Sequence, residues 1–195
     1  MAFNLQAIAD PGRVVRDYLA ALSGSGGRLV FSLLYFVVLA NTLSIAEFGL
    51  FATASATGVV LSRVLAFGYV SPLYRIATVR PALIGTYTAG FLFMALLSLP
   101  VLAIAAYAVF ALVFSGQMAV LTFALIIAAE ALLWRPTEAV IIVNNGMGRF
   151  GRAAILVIAG TGLRAFAALA LMVSASQTLD DWALLYVLAN AAALV

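Results

Sequence analysis

The sequence contains no cysteine, no histidine and no lysine. Without cysteine there is no disulfide and no thiolate nucleophile. Without histidine there is no imidazole base, no histidine-ligated haem and no ordinary zinc site. There is also no glycine-rich phosphate loop and no pair of aspartates within the apolar runs. No catalytic residue, metal set or cofactor is expected, so the chain does not read as an enzyme, and nothing points to nucleic acid. Charge is scarce as well, at 9% of residues against about a quarter in an ordinary soluble domain.

What fills the chain instead is apolar. Of 195 residues, 66% are hydrophobic, and the mean hydropathy is +1.19. A water-soluble domain of this size leaves roughly a third of its chain surface exposed, and this composition has too little polar surface to cover it. The fold class expected is all-α, a polytopic transmembrane helical bundle. At about 20 residues per crossing, the length allows about six spans.

Residues 1–18 read as a cytoplasmic or interfacial N-terminus, in which Phe3, Leu5 and Ile8 fit a short amphipathic turn. Asp10 and Pro11 interrupt the run and argue against a secretory signal. The spans are expected at about 19–42, 46–67, 82–114, 118–143, 153–173 and 181–195. The SGSGG run at 23–27 is either a loop or a loosened part of the first helix, and the longer helix is preferred. The segment 68–81, with Arg75 and Arg80, is expected as a connection. The third run holds Pro100 without polar turn residues and reads as one kinked helix. The sixth is too short to cross about 30 Å of hydrocarbon, and a fragment of a longer protein is expected. In the second span, Ala52, Ala54, Ala56 and Gly58 form small-residue pairs, which place Gly58 at a close helix contact.

Arginine placement sets the orientation. Arg13, Arg16, Arg75, Arg80, Arg149 and Arg152 fall in alternate connecting segments, and Glu47, Asp180 and Asp181 in the others. By the positive-inside rule the N-terminus is cytoplasmic, in a multi-pass membrane protein.

Ionisable groups within the spans are the candidates for function, because each costs about 2.5–3.5 kcal/mol at the bilayer centre. On a regular α-helix, Glu130, Arg135 and Glu138 share a polar side with Thr137, Asn144 and Asn145, opposite Leu125, Leu132, Val140 and Val143. Arg135 and Glu138 can pair along the helix, and Glu130 can pair with Arg164 across helices. Alternatively, Arg28, Arg63, Arg135 and Arg164 line a hydrated cavity that holds a phosphate-type headgroup, with Glu130 and Glu138 as ion-coupling groups. Snorkelling to the membrane surface is the other reading for Arg28 and Arg63.

Four stretches, in order along the chain, resemble one family. LANTLSIAEFGLFATASA carries Leu39, Ala40, Leu43, Glu47, Phe48, Gly49, Leu50, Phe51 and Ala52, with Asn41 where the pattern has arginine. AFGYVSPLYR ends on Arg75, AEALLWRPTEAVIIVNNGMGRFGRAAIL spans the charged helix and its loop, and LDDWALLYVLANAAAL opens the sixth helix. Together they resemble the oligosaccharide (Wzx-type) flippases of the multidrug/oligosaccharidyl-lipid/polysaccharide exporter superfamily. The resemblance implies an N-terminal half whose C-terminal bundle is missing. It also implies a substrate, an undecaprenyl-diphosphate-linked oligosaccharide used in cell-surface polysaccharide biosynthesis, moved by ion-coupled alternating access among membrane lipids. A drug or cation exporter of the same superfamily, and a non-transporting membrane scaffold subunit, are the competing readings.

Overall fold

The computed structural model describes residues 11–194. The amphipathic turn expected at Phe3, Leu5 and Ile8 lies outside the described residues. Within them the chain is helical, with no strand. The helices are α1 (Pro11–Thr42), α2 (Ile45–Leu61), α3 (Val70–Val79), α4 (Ile84–Val109), α5 (Val120–Ile127), α6 (Arg135–Gly146), α7 (Phe150–Met172) and α8 (Leu179–Ala192).

Four stretches among the described residues are long and apolar enough to cross a membrane: Val14–Thr42, Pro81–Phe114, Val120–Gly146 and Phe150–Met172. The chain is a helical membrane protein by this measure. One more apolar helix, α2, is shorter at 17 residues, and α8 has 14 residues. At 1.5 Å per residue these reach about 26 and about 21 Å.

α1 and α7 form the most extensive pair and lie along one another. Glycine is the reason they can approach so closely. A Cβ on Gly24 would stand 2.9 Å from the Ala154 Cβ, and one on Gly27 would stand 2.7 Å from the Ile158 side chain. The SGSGG run is therefore helical, and its missing side chains form the seat for α7. α8 packs on α7 and α5, and α2 packs on α5 and the segment after it. Around this junction sit Phe51, Trp182 and Tyr186, all fully enclosed. Their rings meet edge-on or tilted at 5.2–5.5 Å, a spacing that favours the aromatic quadrupoles.

Two departures from regular α-geometry matter for the site. The first lies between α5 and α6, where Ala128–Trp134 forms π-turns. Pro136 follows closely. It has no N–H to bond back to the carbonyl of Leu132, and its ring crowds that turn. Wider turns absorb the misfit and rotate everything upstream relative to everything downstream. The second is the turn after α2. Ala66, Phe67 and Gly68 take φ of 55°, 48° and 76°, which is left-handed backbone that only glycine adopts freely. Ser98 steadies this turn by accepting the Ala66 N–H at 2.9 Å.

That turn corrects the expected path. α2 stops at Leu61 and does not continue to Phe67. The segment expected as a connection contains α3, a helix that buries Val70, Leu73 and Ala77 and packs on α4 and α6. Its apolar residues recur at helical spacing, but the two prolines and two arginines mask them in a scan for long apolar runs.

Candidate functional site

At the centre of the bundle a chain of polar side chains joins four helical segments. Glu130 is buried within the π-turns. It sits there because Gly58 of α2 has no side chain: a Cβ on Gly58 would stand 2.9 Å from the Cβ of Glu130. The close contact expected at Gly58 is present, and the group it admits is the carboxylate. Ser55 Oγ, one turn earlier on α2, donates to Glu130 Oε1 at 2.7 Å. The Tyr186 hydroxyl, from α8, donates to the same oxygen. One carboxylate oxygen thus takes two hydroxyl donors from two different helices, the arrangement that stabilises a buried carboxylate.

The ring of Tyr186 continues the chain. The Arg164 guanidinium from α7 lies 5.1 Å from its centroid and 4.2 Å from the Trp134 ring. Arg164 Nε and Nη2 both donate to Asn190 Oδ1, at 3.0 and 2.6 Å, while Asn190 Nδ2 donates to the Tyr186 carbonyl at 2.7 Å. Each charged hydrogen bond is worth about 1.5–3 kcal/mol and a desolvated cation–π contact about 2 kcal/mol. Together these exceed the cost of a membrane-centred arginine, about 2.5–3.5 kcal/mol. Arg164 therefore needs no carboxylate. Among the described residues no ion pair joins it to Glu130, because Tyr186 stands between them.

Beside this chain, α1, α6 and α7 enclose a cavity of about 290 Å³ lined by Ser25, Arg28, Trp134, Glu138 and Asn145 among others. Trp134 belongs to both places: it lines the cavity, and its ring lies against the Arg164 guanidinium. Gly160 makes room for it, since a Cβ there would lie 2.9 Å from the Trp134 ring. The indole thus stands between the cavity and the buried Arg164.

The four arginines expected around one cavity are thus divided. Arg28 is exposed on α1 and lines the cavity. Arg164 is enclosed behind Trp134. Arg135 is buried, donates through Nη1 to Glu138 Oε2, and keeps Nε without a partner. Arg63 is exposed beyond the end of α2 and borders neither place. The two carboxylates also part company: Glu130 faces α2 and α8, and Glu138 faces α1 and α7. Ser55, Tyr186, Asn190 and Trp134 are the site residues that the sequence did not single out. Only the i,i+4 spacing of Tyr186 and Asn190 within the apolar α8 offered a signal.

Chemically, the arrangement places a carboxyl group and a guanidinium in an apolar interior, with the Tyr186 hydroxyl on the first and the Tyr186 ring against the second. Among the described residues no group of acids could hold a metal ion. No protein-family model, curated protein or solved structure matches this chain.

Proposed function

We propose that this chain is a bundle of a membrane transporter that moves an anionic, lipid-linked oligosaccharide across the cell inner membrane by ion-coupled alternating access. The observation that carries the reading is the Ser55–Glu130–Tyr186 chain next to Arg164, set beside a polar cavity and separated from it by one indole. Ionisable groups held inside a membrane bundle mark substrate or ion pathways. Glu130 is the coupling group in this reading. Its Oε1 takes the Tyr186 hydroxyl and the Tyr186 ring touches Arg164, so a change in what Glu130 holds reaches Arg164. Arg28 receives the headgroup in the cavity, where Glu138 is paired with Arg135, and Arg164 joins Arg28 when Trp134 moves. The substrate itself, an undecaprenyl-diphosphate-linked sugar unit, rests on the resemblance of the four stretches. The arginine-rich end faces the cytoplasm by the positive-inside rule.

The test is export of surface polysaccharide by cells whose own copy of the gene is replaced by variants. Glu130→Gln keeps the shape and the hydrogen-bond acceptor but cannot ionise. It is expected to abolish export while leaving protein level near wild type. Arg28→Ala is expected to reduce export with no effect on melting temperature. Normal export by both variants at normal expression would sink the transporter reading.

One observation favours a second reading, a non-transporting scaffold subunit. Arg164 donates through Nε and Nη2 to Asn190 inside the bundle, as a structural arginine would. In that case Arg164→Ala lowers the melting temperature, and Glu130→Gln leaves every phenotype unchanged.

A further inference from the structure

A second cleft lies at the arginine-rich end, away from the buried chain. It is formed by the first turns of α1 and the turn between α6 and α7, and has a volume of about 470 Å³. Its walls carry Arg16 and Asp17 from α1 and Gly148, Arg149, Gly151 and Arg152 from the turn and the start of α7. Arg149 and Arg152 are exposed and pair with no acid among the described residues. Arg16 is held only loosely toward Asp17, at 3.9 Å with its side chain 76% exposed. Arginines from two helices therefore border one concave site, with Asp17 as the acid among its lining residues.

The backbone adds donors. The first intrahelical bond of α7 runs from the Ala153 N–H to the Arg149 carbonyl, and no side chain caps the turn. The amides of the first turn, up to Arg152, point outward without helical acceptors. Gly148 takes φ of 71°, which reverses the chain, and neither Gly148 nor Gly151 has any atom of the protein where its Cβ would be. A phosphate can approach the backbone there closely.

Position selects the source of that phosphate. The apolar run of α7 starts right after Arg152 and continues to Met172, so the cleft sits at the edge of the hydrocarbon. The same turns of α1 expose Val14, Val15, Tyr18 and Leu19, each more than half accessible. Three arginines against Asp17 leave the site net positive, as an anionic phosphate requires. We propose that this cleft binds the phosphodiester of an anionic membrane lipid, gripped by Arg16, Arg149 and Arg152, with the acyl chains running along α1. The inference does not depend on the chain being a transporter.

The experiment uses the full chain in neutral detergent, titrated with short-chain phosphatidylglycerol, with phosphatidylcholine and with inorganic phosphate, and reads melting temperature and apparent Kd. Phosphatidylglycerol is expected to stabilise the protein saturably, and phosphatidylcholine is not. Arg149→Gln with Arg152→Gln, and separately Arg16→Gln on the other helix, should each weaken this binding by about tenfold or more. The double change Arg149→Lys with Arg152→Lys keeps the charge but loses the forks, so it should also weaken binding. If the lysine form binds as wild type does, the effect is only surface charge and the site is refuted. If inorganic phosphate stabilises and phosphatidylglycerol does not, the cleft serves a soluble phosphate and the lipid assignment falls. If no probe shifts the melting temperature, there is no phosphate site.

Discussion

The end of the bundle that carries Glu47, Asp180 and Asp181 is stitched together by those acids, whereas the end that carries Arg75, Arg80, Arg149 and Arg152 is not. Ser44 and Glu47 form a reciprocal cap at the start of α2, with the Glu47 N–H bonded to Ser44 Oγ at 3.3 Å and the Ser44 N–H to Glu47 Oε2 at 3.2 Å. The other oxygen of Glu47 accepts the Leu179 N–H at 3.2 Å and so ties α2 to the start of α8. Thr122 of α5 donates to Asp180 on α8, and Thr178 and Asp181 cap the same helix. At the opposite end the four arginines are exposed and make no ion pair among the described residues. Clefts open there around Arg75 and Arg80 and around Arg149 and Arg152. The acid-bearing end is thus held by side-chain hydrogen bonds between helices, and the arginine-bearing end by apolar packing of α3 on α4 and α6.

The largest expected effect comes from the point where the two ends are held in register. Gly58→Leu would drive a side chain into the space that Glu130 and Ile127 occupy. Overpacking there should cost about 3 kcal/mol and displace Glu130 from Ser55 as well. The amount of folded protein recovered in detergent should fall sharply. Recovery and melting temperature equal to wild type would mean that α2 does not rest on α5 as described.

Next in size is the acid-bearing end itself. Glu47→Ala removes half of the reciprocal cap and leaves the Leu179 N–H without its acceptor. A lost cap costs about 0.5–2 kcal/mol, and this one also loosens α8. Melting temperature should drop by a few degrees, and amide exchange near 45–48 and 179–182 should quicken together. Faster exchange at one of the two places alone would break the link between them.

Much of this was legible in the sequence, and the exceptions are instructive. Membrane character follows from composition, because apolar residues outnumber what any soluble surface could cover. Gly58 was legible because small residues at four-residue spacing have one common use in membrane helices. The Ser44–Glu47 cap has the S-x-x-E form that marks a helix start. The split between Glu130 and Glu138 was not legible, since a helical wheel assumes 100° per residue and the π-turns before Pro136 violate that. Leu132 and Val140 are exposed as the wheel had them, so the wheel gave the outside of the helix and failed on which neighbour each carboxylate meets. Ser55 and Tyr186 were not legible as partners of Glu130, because they lie 75 and 56 residues from it in sequence. Only the three-dimensional packing brings them together.

A smaller effect of opposite sign is expected at the turn that ends α2. Phe67 holds φ of 48° and is 54% exposed. Left-handed backbone costs a non-glycine residue about 1–2 kcal/mol. Phe67→Gly removes that strain, at the expense of some backbone entropy in the unfolded chain. The protein should be unchanged or more stable by about 1 kcal/mol, although a large apolar side chain has been deleted. A clear loss of stability would show that Phe67 is held by packing that outweighs its backbone strain.

The smallest expected effect sharpens the contrast between the ends. Arg75→Gln combined with Arg80→Gln removes two charges from the arginine-bearing end. Both side chains are exposed, and both border the cleft between α3 and α4 that also holds Tyr87. Neither makes an ion pair or a side-chain hydrogen bond to another described residue, so nothing in the fold is broken by losing them. Substitutions of this kind stay within about 0.5 kcal/mol, against about 0.5–2 kcal/mol for the cap at Glu47. What should change is orientation and surface attraction, because these arginines carry part of the charge bias between the two sides. A single cysteine placed at Gly148 or at Ser176 in this cysteine-free chain reads orientation through an impermeant thiol reagent. In the wild-type background Ser176 should label from outside intact cells and Gly148 should not. In the double variant the melting temperature should stay the same, and a fraction of molecules should begin to label at Gly148. A large drop in melting temperature would show instead that Arg75 and Arg80 hold the arginine-bearing end together, and the two ends would then be alike.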